Sequence, residues 1–305
     1  YLDGVTSGIQ SQLNAKGTVN ALSDLNITSI ATELNIMDGV TATTAELNYS
    51  DGVTSAIQTQ LDAKATNVDG LSDALVEDNS MYVGSDPSNT TSSAEYNISL
   101  GLTSLDAITT GDANVSIGYN ALTANTTGSG NTAYGRSALQ ANTSGAENTA
   151  TGYRALFSNT TGSYNTATGA DALKANTTGS YSTANGLQAL FNNTTGSGHT
   201  ASGWRTLFSN TTGNYNTAFG QGALYSNTTA SENSAFGYRA LYSNTTGSYN
   251  VAIGSAALNA NTTGAYNTAT GYRSLYSNTT GNSNSSFGYQ ALNTNTTGSY
   301  NAAFG

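Results

Sequence analysis

Residues 131–147 read N-T-A-Y-G-R-S-A-L-Q-A-N-T-S-G-A-E, and residues 148–164 read N-T-A-T-G-Y-R-A-L-F-S-N-T-T-G-S-Y. The pattern returns every 17 residues from Asn97 to Gly305, and no insertion or deletion interrupts it. Twelve copies begin between Asn97 and Asn284, and part of a thirteenth follows. A fixed period of this kind is the sequence signature of a repeat architecture, in which neighbouring units complete one another's core.

Three residues of the unit stay nearly unchanged from copy to copy. Glycine recurs at every 17th residue from Gly101 to Gly305, and leucine recurs in the same way from Leu105 to Leu292. Asparagine follows each leucine by three residues from Asn125 onward. We expect each of the three to form a structural ladder along the stacked units. Members of these ladders include Gly135, Gly152, Gly169, Leu139, Leu156, Leu173, Asn142, Asn159 and Asn176.

The unit is too short for a repeat of paired helices, which needs roughly 33–47 residues. The segment T-A-x-G-Y predicts one short strand, A-L-x-x predicts a second, and N-T-T-G predicts a turn in which Gly or Asn takes a positive φ. One repeat then forms one coil of two strands and two turns, and coils stack ~4.8 Å apart by parallel pairing. The fold class that we predict is all-β: a repetitive parallel β-solenoid or β-roll with 17-residue coils.

The apolar core of such a coil is small. One leucine and two alanines in 17 residues bury little area at ~25 cal/mol per Å². The opposing conformational entropy is about 1.5 kcal/mol per ordered residue. Association of several chains would add burial and would cover the sheet edges. We therefore expect self-association, as a homotrimer or another parallel bundle.

Composition excludes several kinds of site and partner. Only 9% of the residues are charged, and the chain has no cysteine, which excludes disulfides and thiolate metal sites. No apolar run approaches the ~20 residues of a membrane span, so we expect no membrane insertion. The net charge of −10 includes no basic patch, so we expect no nucleic-acid partner.

The acidic residues are concentrated in the N-terminal third of the chain. Residues 1–96 carry 13 acidic side chains and two lysines, whereas residues 97–305 carry five acidic and six basic side chains. A different repeat occupies the acidic part, because residues 3–16 return at residues 51–64 as D-G-V-T-S-A-I-Q-T-Q-L-D-A-K. The change in charge and in repeat marks a domain boundary.

Short helices are predicted in the acidic part. Each Asp-Gly is a turn signal, the Thr or Ser after it is an N-cap candidate, and apolar residues follow at i and i+4. The apolar pairs are Ile9/Leu13, Ile57/Leu61 and Leu71/Leu75. We therefore divide the chain into residues 1–76, a mixed segment of short helices, turns and irregular structure; residues 77–96, a transition; and residues 97–305, the solenoid.

The units of the main repeat resemble the head repeats of YadA-like trimeric autotransporter adhesins, as at Ala218-Phe219-Gly220 and Ala252-Ile253-Gly254. The segments T-E-L-N-I-M-D-G-V-T and D-G-V-T-S-A-I-Q-T-Q-L-D-A-K look like repeats of bacteriophage tail fibres, notably those of marine phages. The resemblance implies a trimeric β-roll that is located in the virion as part of a tail fibre. It implies other virion tail proteins and host surface glycans as partners. The alternative location is extracellular or on a cell surface.

Two further phases of the repeat carry candidate surface or interface contacts. Arginines share one phase in steps of 34 or 51 residues, and aromatic residues share the phase after leucine. The arginines form either a solvated or trimer-contact column or a stripe that meets anionic glycans. The rings serve either packing between coils or chains, or sugar binding through the same faces. The candidates are Arg154, Arg205, Arg239, Arg273, Phe157, Phe191, Phe208, Tyr225 and Tyr242.

No set of residues predicts catalysis. His199, the only histidine, occupies a phase usually held by asparagine, and we interpret it as a structural substitute rather than a base or metal ligand. No acid–base pair or nucleophile is placed for chemistry, so we expect no enzymatic activity and no cofactor or metal.

Two functions follow from these patterns as expectations. The first is a structural fibre shaft that supports attachment of a phage to its host. The alternative is a cell-surface adhesin or extracellular filament that binds glycans along its sides. Ice binding is disfavoured, because the turn threonines are adjacent and do not form the flat T-x-T rows that such a surface needs.

Overall fold

The computed structural model describes residues 74–77, 79–84, 87 and 93–305. These residues all belong to one compact unit of the chain, Lys64–Gly305. Within them the secondary structure consists of strands and turns, without a helix. Fifteen strands form a single sheet.

Most strands are three residues long, and each lies at the start of a 17-residue unit. The strands are β1 (Ala74–Glu77), β2 (Ser80–Val83), β3 (Ile98–Leu100), β4 (Val115–Ile117), β5 (Thr132–Tyr134), β6 (Thr149–Thr151), β7 (Thr166–Thr168), β8 (Thr183–Asn185), β9 (Thr200–Ser202), β10 (Thr217–Phe219), β11 (Ser234–Phe236), β12 (Val251–Ile253), β13 (Thr268–Thr270), β14 (Ser285–Phe287) and β15 (Ala302–Phe304).

The strands lie side by side in sequence order. β1 and β2 form an antiparallel pair, with Glu77 opposite Ser80. From β2 to β15 every pair is parallel and each residue lies opposite the one 17 positions later, as Ala133 lies opposite Ala150. The predicted fold class is thereby confirmed. The described part of the chain forms an all-β parallel solenoid of about 13 turns with 17-residue coils.

The parallel stacking begins before residue 97. β2 pairs with β3, so that Met81 lies opposite Ile98. The segment predicted as a transition, residues 77–96, therefore already contains a strand of the solenoid sheet. Leu75, predicted to be helical with Leu71, lies in β1 because its backbone pairs with β2. Leu71 and the pairs Ile9/Leu13 and Ile57/Leu61 lie outside the described residues.

Each coil contains one strand, and the prediction of a second strand at A-L-x-x is wrong. The leucine of this segment lies in the left-handed region, with a φ of 51° at both Leu139 and Leu156. That conformation costs an L residue roughly 1–2 kcal/mol. Complete burial of the side chain offsets the cost. The backbone N–H of the leucine is also hydrogen-bonded, since the N–H of Leu139 donates to the carbonyl oxygen of Ala155 in the next coil at 3.0 Å.

The N-T-T-G turn differs from the prediction as well, because its glycines do not have a positive φ. Positive φ falls instead on residues such as Arg154 (54°), two before leucine, and Tyr164 (60°), before the next unit. The turn glycine is required for space: a Cβ on Gly145 would overlap the carbonyl oxygen of Gly162 in the next coil.

The apolar core consists of narrow ladders of small side chains and one ladder of leucine. The central alanine of most strands, such as Ala150, and the alanine before most leucines, such as Ala155, are fully buried. Every leucine of the repeat from Leu105 to Leu275 is fully buried, whereas Leu292 is only partly buried. A single chain therefore completes its own leucine ladder, and self-association is not needed to bury it.

Candidate functional site

The glycine ladder lies at the carboxyl end of the strands. Gly135, Gly152 and Gly169 have φ values of 134°, 133° and 128°, a region that residues with a Cβ rarely adopt. A Cβ on Gly135 would lie 2.7 Å from the carbonyl oxygen of Gly152 in the next coil. The positive φ and the close approach of the next coil's carbonyl group both require glycine at this position of the repeat.

The asparagines after leucine form a buried amide ladder. The Nδ2 of Asn159 donates to the Oδ1 of Asn142 at 2.8 Å and to the carbonyl oxygen of Gly162 at 2.9 Å. The Nδ2 of Asn176 repeats both contacts one coil later, with Asn159 and Gly179. Each amide thus links its own turn to the preceding coil.

A second amide ladder lies beside the first, at the residue before each strand. The backbone N–H and the Nδ2 of Asn131 both donate to the Oδ1 of Asn114, at 3.0 and 3.1 Å. The Nδ2 of Asn131 also donates to the carbonyl oxygen of Gly145. Sequence reasoning missed this ladder, although the recurrent asparagine that opens each unit was its signal.

His199 replaces asparagine in the second ladder. The imidazole is buried, its Nδ1 accepts a hydrogen bond from the backbone N–H of Asn216 at 3.3 Å, and its Nε2 lies 3.3 Å from the Nδ2 of Asn210. Burial lowers the pKa of His199 from 6.5 to about 4, so the ring is neutral at pH 7. Its surroundings are those of a structural residue, with backbone and amide groups as partners.

The aromatic residues after leucine form a continuous stack over four coils. Phe191 and Phe208 have ring centroids 5.2 Å apart, Phe208 and Tyr225 5.1 Å, and Tyr225 and Tyr242 5.0 Å. Phe157 lies two coils before Phe191. Between them Lys174 occupies the phase, with its Nζ 4.9 Å from the Phe191 centroid.

The arginines lie between this aromatic column and a second one at the phase after glycine. The guanidinium of Arg205 lies 5.2 Å from the Trp204 centroid and 5.3 Å from that of Phe208. Arg239 lies in the same way between Tyr238 and Tyr242. Arg273 repeats the arrangement with Tyr272 and Tyr276. The structure therefore brings the predicted arginine and aromatic columns together on one cation–aromatic face.

Arg154 differs from the other three arginines in its partner. Its Nε lies 2.9 Å from the Oδ1 of Asp171, and its Nη2 donates to the Oδ2 at 3.1 Å. This bidentate pair joins two successive coils and neutralises Arg154. Arg205 instead donates from Nε to the Oε1 of Gln188 at 2.8 Å. Within the part of the chain that the structure describes, Arg205, Arg239 and Arg273 form no ion pair.

A groove interrupts the cation–aromatic face where glycine replaces the usual side chain at the arginine phase. It has a volume of about 140 Å³. We call it the Gly222 groove; its lining consists of Trp204, Arg205, Gln221, Gly222, Tyr225, Arg239 and Tyr242. The two arginines belong to the coils before and after Gly222, and the groove therefore combines two cations with three aromatic side chains.

Other exposed columns lie at two further phases. At the last residue of the unit, Tyr249 and Tyr266 stack with centroids 5.0 Å apart, and a hydrogen bond to Glu232 raises the pKa of Tyr249. At the last strand residue, Phe219 and Phe236 stack 5.3 Å apart. These rings were not among the predicted contacts.

Outward threonines flank the buried alanine of several strands. Thr149 and Thr151 lie opposite Thr166 and Thr168 in β6 and β7. These strand threonines form spaced T-x-T rows that the sequence reasoning did not consider, since it dealt only with the adjacent threonines of the turn. The rows are short, since β8 continues with Asn185 in place of the second threonine.

Among residues 74–77, 79–84, 87 and 93–305, no three His, Cys, Asp or Glu side chains lie together as a metal site would require. No helix in that part of the chain is long and apolar enough to cross a membrane.

The stacked coils and their internal amide ladders define the class of the protein, a tandem-repeat parallel β-solenoid. Comparison with known proteins does not narrow this class: no protein family matches the chain, and no match was found among curated proteins or solved structures. The resemblance to phage tail fibres and to YadA-like heads stays a prediction.

Proposed function

We propose that the chain is the shaft of a bacteriophage tail fibre, a spacer that supports attachment of the virion to its host. The observation that carries the proposal is the register, which is kept over all thirteen steps from β2 to β15. Each step adds ~4.8 Å of length, so twelve repeats extend about 58 Å. Uniform ladders of glycine, leucine and asparagine suit a part that provides length and stiffness.

Immunogold labelling tests the location. Antibodies against residues 97–305 are applied to phage particles and to uninfected cells from the source that encodes the chain. We expect label along the tail fibres and co-purification of other tail proteins. Label on the surface of uninfected cells would instead favour the adhesin or filament, and label only in the cell interior would contradict both.

Self-association into a homotrimer is the second part of the proposal. Its support is a column of exposed apolar side chains on the outward side of the C-terminal strands, at the phase of the last strand residue. The column consists of Phe219, Phe236, Ile253, Phe287 and Phe304. Thr270 interrupts the column between Ile253 and Phe287, so its continuous part runs over three coils from Phe219 to Ile253. Exposed apolar surface of this kind is typical of interaction sites. Association through this face would also shield the rings that a single chain leaves in water.

Sedimentation equilibrium of the whole chain tests the trimer. We expect three times the chain mass of 31.1 kDa and a shift toward the monomer for the double variant Phe219→Thr, Phe236→Thr. Threonine fits this phase, since Thr151 and Thr168 occupy it in other coils. The control double variant Tyr164→Ser, Tyr181→Ser changes a different column and should stay trimeric. A monomeric parent chain would contradict the proposal.

The cation–aromatic face favours the second candidate function, an adhesin or extracellular filament that binds glycans along its sides. Three arginines stacked on aromatic rings at 34-residue steps form a ladder of positive charge along one side of the solenoid. A glycan array probed with the full chain tests this function. Binding to anionic glycans supports it, and binding to none contradicts it.

A further inference from the structure

We propose that the Gly222 groove is a binding site for an anionic saccharide, with one carboxylate-bearing sugar ring held in the groove. The groove combines the two kinds of group that such a ligand needs. Guanidinium groups recognise carboxylates through paired, charge-assisted hydrogen bonds. Aromatic faces receive the apolar face of a sugar ring, and Trp204 is the exposed ring that lines the groove for this contact, because Tyr225 is stacked between Phe208 and Tyr242.

The two arginines are available and held in place. Neither Arg205 nor Arg239 pairs with a carboxylate within the described part of the chain, in contrast to Arg154 with Asp171. Each guanidinium lies near two ring centroids, which restricts its position. The Nε of Arg205 also donates to Gln188, which leaves the Nη groups of Arg205 for a ligand. The arginines lie two coils apart, about 9.6 Å along the solenoid, so both can reach one bound sugar unit or its neighbours.

Glycine at position 222 is a local departure from the repeat. A binding site needs such a departure, because a uniform column presents the same surface at every coil. In neighbouring coils the same phase carries Arg205 and Arg239, so glycine opens a space between them. The next small residue in the arginine column is Ala256, between Arg239 and Arg273. Its surroundings differ, because Asn259 stands at the position that Tyr225 occupies beside Gly222.

The size of the groove limits what it can hold. At about 140 Å³ it is smaller than the ~300–1,000 Å³ pockets that enclose drug-sized ligands. One sugar ring fits, with the rest of the glycan in solvent. Nucleic acid is a poor match, since residues 97–305 carry only six basic side chains, of which Arg154 is paired.

Tryptophan fluorescence gives a direct measurement, because Trp204 is the only tryptophan of the chain and lines the groove. The full chain is titrated with trigalacturonic acid, and neutral galactotriose is the comparison. We expect a saturable change in Trp204 emission with the acidic trisaccharide and none with the neutral one. An equal response to both sugars, or no response to the acidic one, would overturn the proposal.

Substitutions test whether the saccharide binds in the Gly222 groove. Gln188 and Gln290 occupy the arginine phase with positive φ, so glutamine is compatible with the fold there. Arg205→Gln and Arg239→Gln should each weaken binding about tenfold, and Gly222→Gln should block it by filling the groove. Arg273→Gln and Ala256→Gln are the matched controls and should bind like the parent.

The inference rests on the second candidate function, glycan binding along the sides, and the control variants keep the two failures apart, because binding lost in all variants alike leaves glycan binding itself in place. Loss of binding in the controls as well as in the groove variants would overturn the assignment to Gly222. Equal displacement of trigalacturonic acid by an oligothymidylate of the same charge would show general anion binding and would also overturn it. None of these outcomes bears on the shaft or on the trimer, whose tests measure location and mass.

Discussion

Backbone conformation at single residues determines the path of each coil. Three residues with side chains have a positive φ in most coils, and a glycine with φ near 130° ends each strand. At Leu156 the backbone has a strained φ of 51°, and complete burial of the side chain compensates for the strain. The same conformation in successive coils keeps each strained residue over its equivalent, so the ladders stay in register.

Substitution of the strand-end glycine should be strongly destabilising. At Gly169 φ is 128°, and a Cβ would lie 2.7 Å from both the carbonyl carbon and the oxygen of Gly186. Gly169→Ala therefore combines backbone strain with overpacking, and we expect a loss of about 3 kcal/mol in the free energy of unfolding. Urea unfolding followed by circular dichroism measures the change.

Gly222→Ala is the control for this variant. Gly222 also has a positive φ, of 65°, but a Cβ there meets nothing nearer than 3.4 Å, and Ala256 occupies the same phase with a φ of 57°. We expect a loss of roughly 1–2 kcal/mol, which is smaller than that of Gly169→Ala. Equal losses for the two variants would show that the φ angle alone matters and that the close approach does not.

The buried histidine predicts a dependence of stability on pH. His199 has a pKa of about 4 in the folded chain and 6.5 when unfolded, so the unfolded chain binds more protons between these values. Stability is therefore retained above pH 6.5 and lost as the pH falls toward 4, by about 3 kcal/mol at 1.36 kcal/mol per pH unit.

Thermal unfolding of the parent and of His199→Asn between pH 7 and pH 4 tests this dependence. Asparagine is the usual residue at the phase, so the variant should fold and should lose less stability on acidification. Acidic side chains titrate in both proteins and cancel in the comparison. Identical pH profiles would mean that His199 is not buried in its neutral form.

Neighbouring coils are held together by backbone hydrogen bonds around the whole coil and by the pair of amide ladders inside it, and not by the three-residue strand alone. A strand of this length contributes few hydrogen bonds, whereas both ladders run through the interior and link each turn to the coil before it. Buried amides are stable only when every donor and acceptor is matched. A register error of one residue would leave these groups unpaired, so the ladders also specify the 17-residue step.

Removal of one amide should therefore cost several hydrogen bonds at once. In Asn159→Ala the Oδ1 of Asn142, the carbonyl oxygen of Gly162 and the Nδ2 of Asn176 lose a partner. The carbonyl oxygen of Gly162 keeps the bond from Asn148, and the Nδ2 of Asn176 keeps its bond to Gly179. The Oδ1 of Asn142 is therefore the group left unsatisfied. Three lost hydrogen bonds at roughly 1 kcal/mol each give an expected loss of about 3 kcal/mol. Hydrogen exchange should show faster opening of the coils around Asn159.

Asn192→Ala provides the matched control. Asn192 occupies a phase at which Ala141 and Ala175 stand in other coils, and it is only partly buried. We expect no measurable change in stability or in hydrogen exchange. A similar loss for both variants would contradict the assignment of stability to the buried ladder.

The sequence predicts the stacking better than it predicts the path within one coil. The spacing of Gly135, Leu139 and Asn142 sets the period and the fold class, because only parallel stacking places equivalent residues over one another. The turn at leucine was not predictable from local propensity, since a leucine at φ 51° is stable only with its tertiary contacts. The Gly222 groove was missed because the arginine and aromatic phases were considered separately.

For the whole molecule, the unit of construction is the coil, and stability should follow the rules of repeat proteins. Each coil contacts only its neighbours, so complete coils can be removed while the remaining ones keep their contacts. Residues 131–181 are three complete units, 51 residues, and their removal would join Gly130 to Ser182 in the correct phase. Arg154 and Asp171 are lost together, so neither is left unpaired.

We expect the chain without residues 131–181 to fold and to be shorter by about 14 Å along the solenoid axis, at ~4.8 Å per coil. Removal of residues 131–177, four residues fewer, should break the leucine and asparagine ladders at the junction, because every later residue shifts out of phase. Small-angle scattering should show a shorter particle of unchanged cross-section for the first deletion. The second should show a lower unfolding temperature. If both deletions fold equally well, the register is not what holds the shaft together, and the main support for a shaft function is lost.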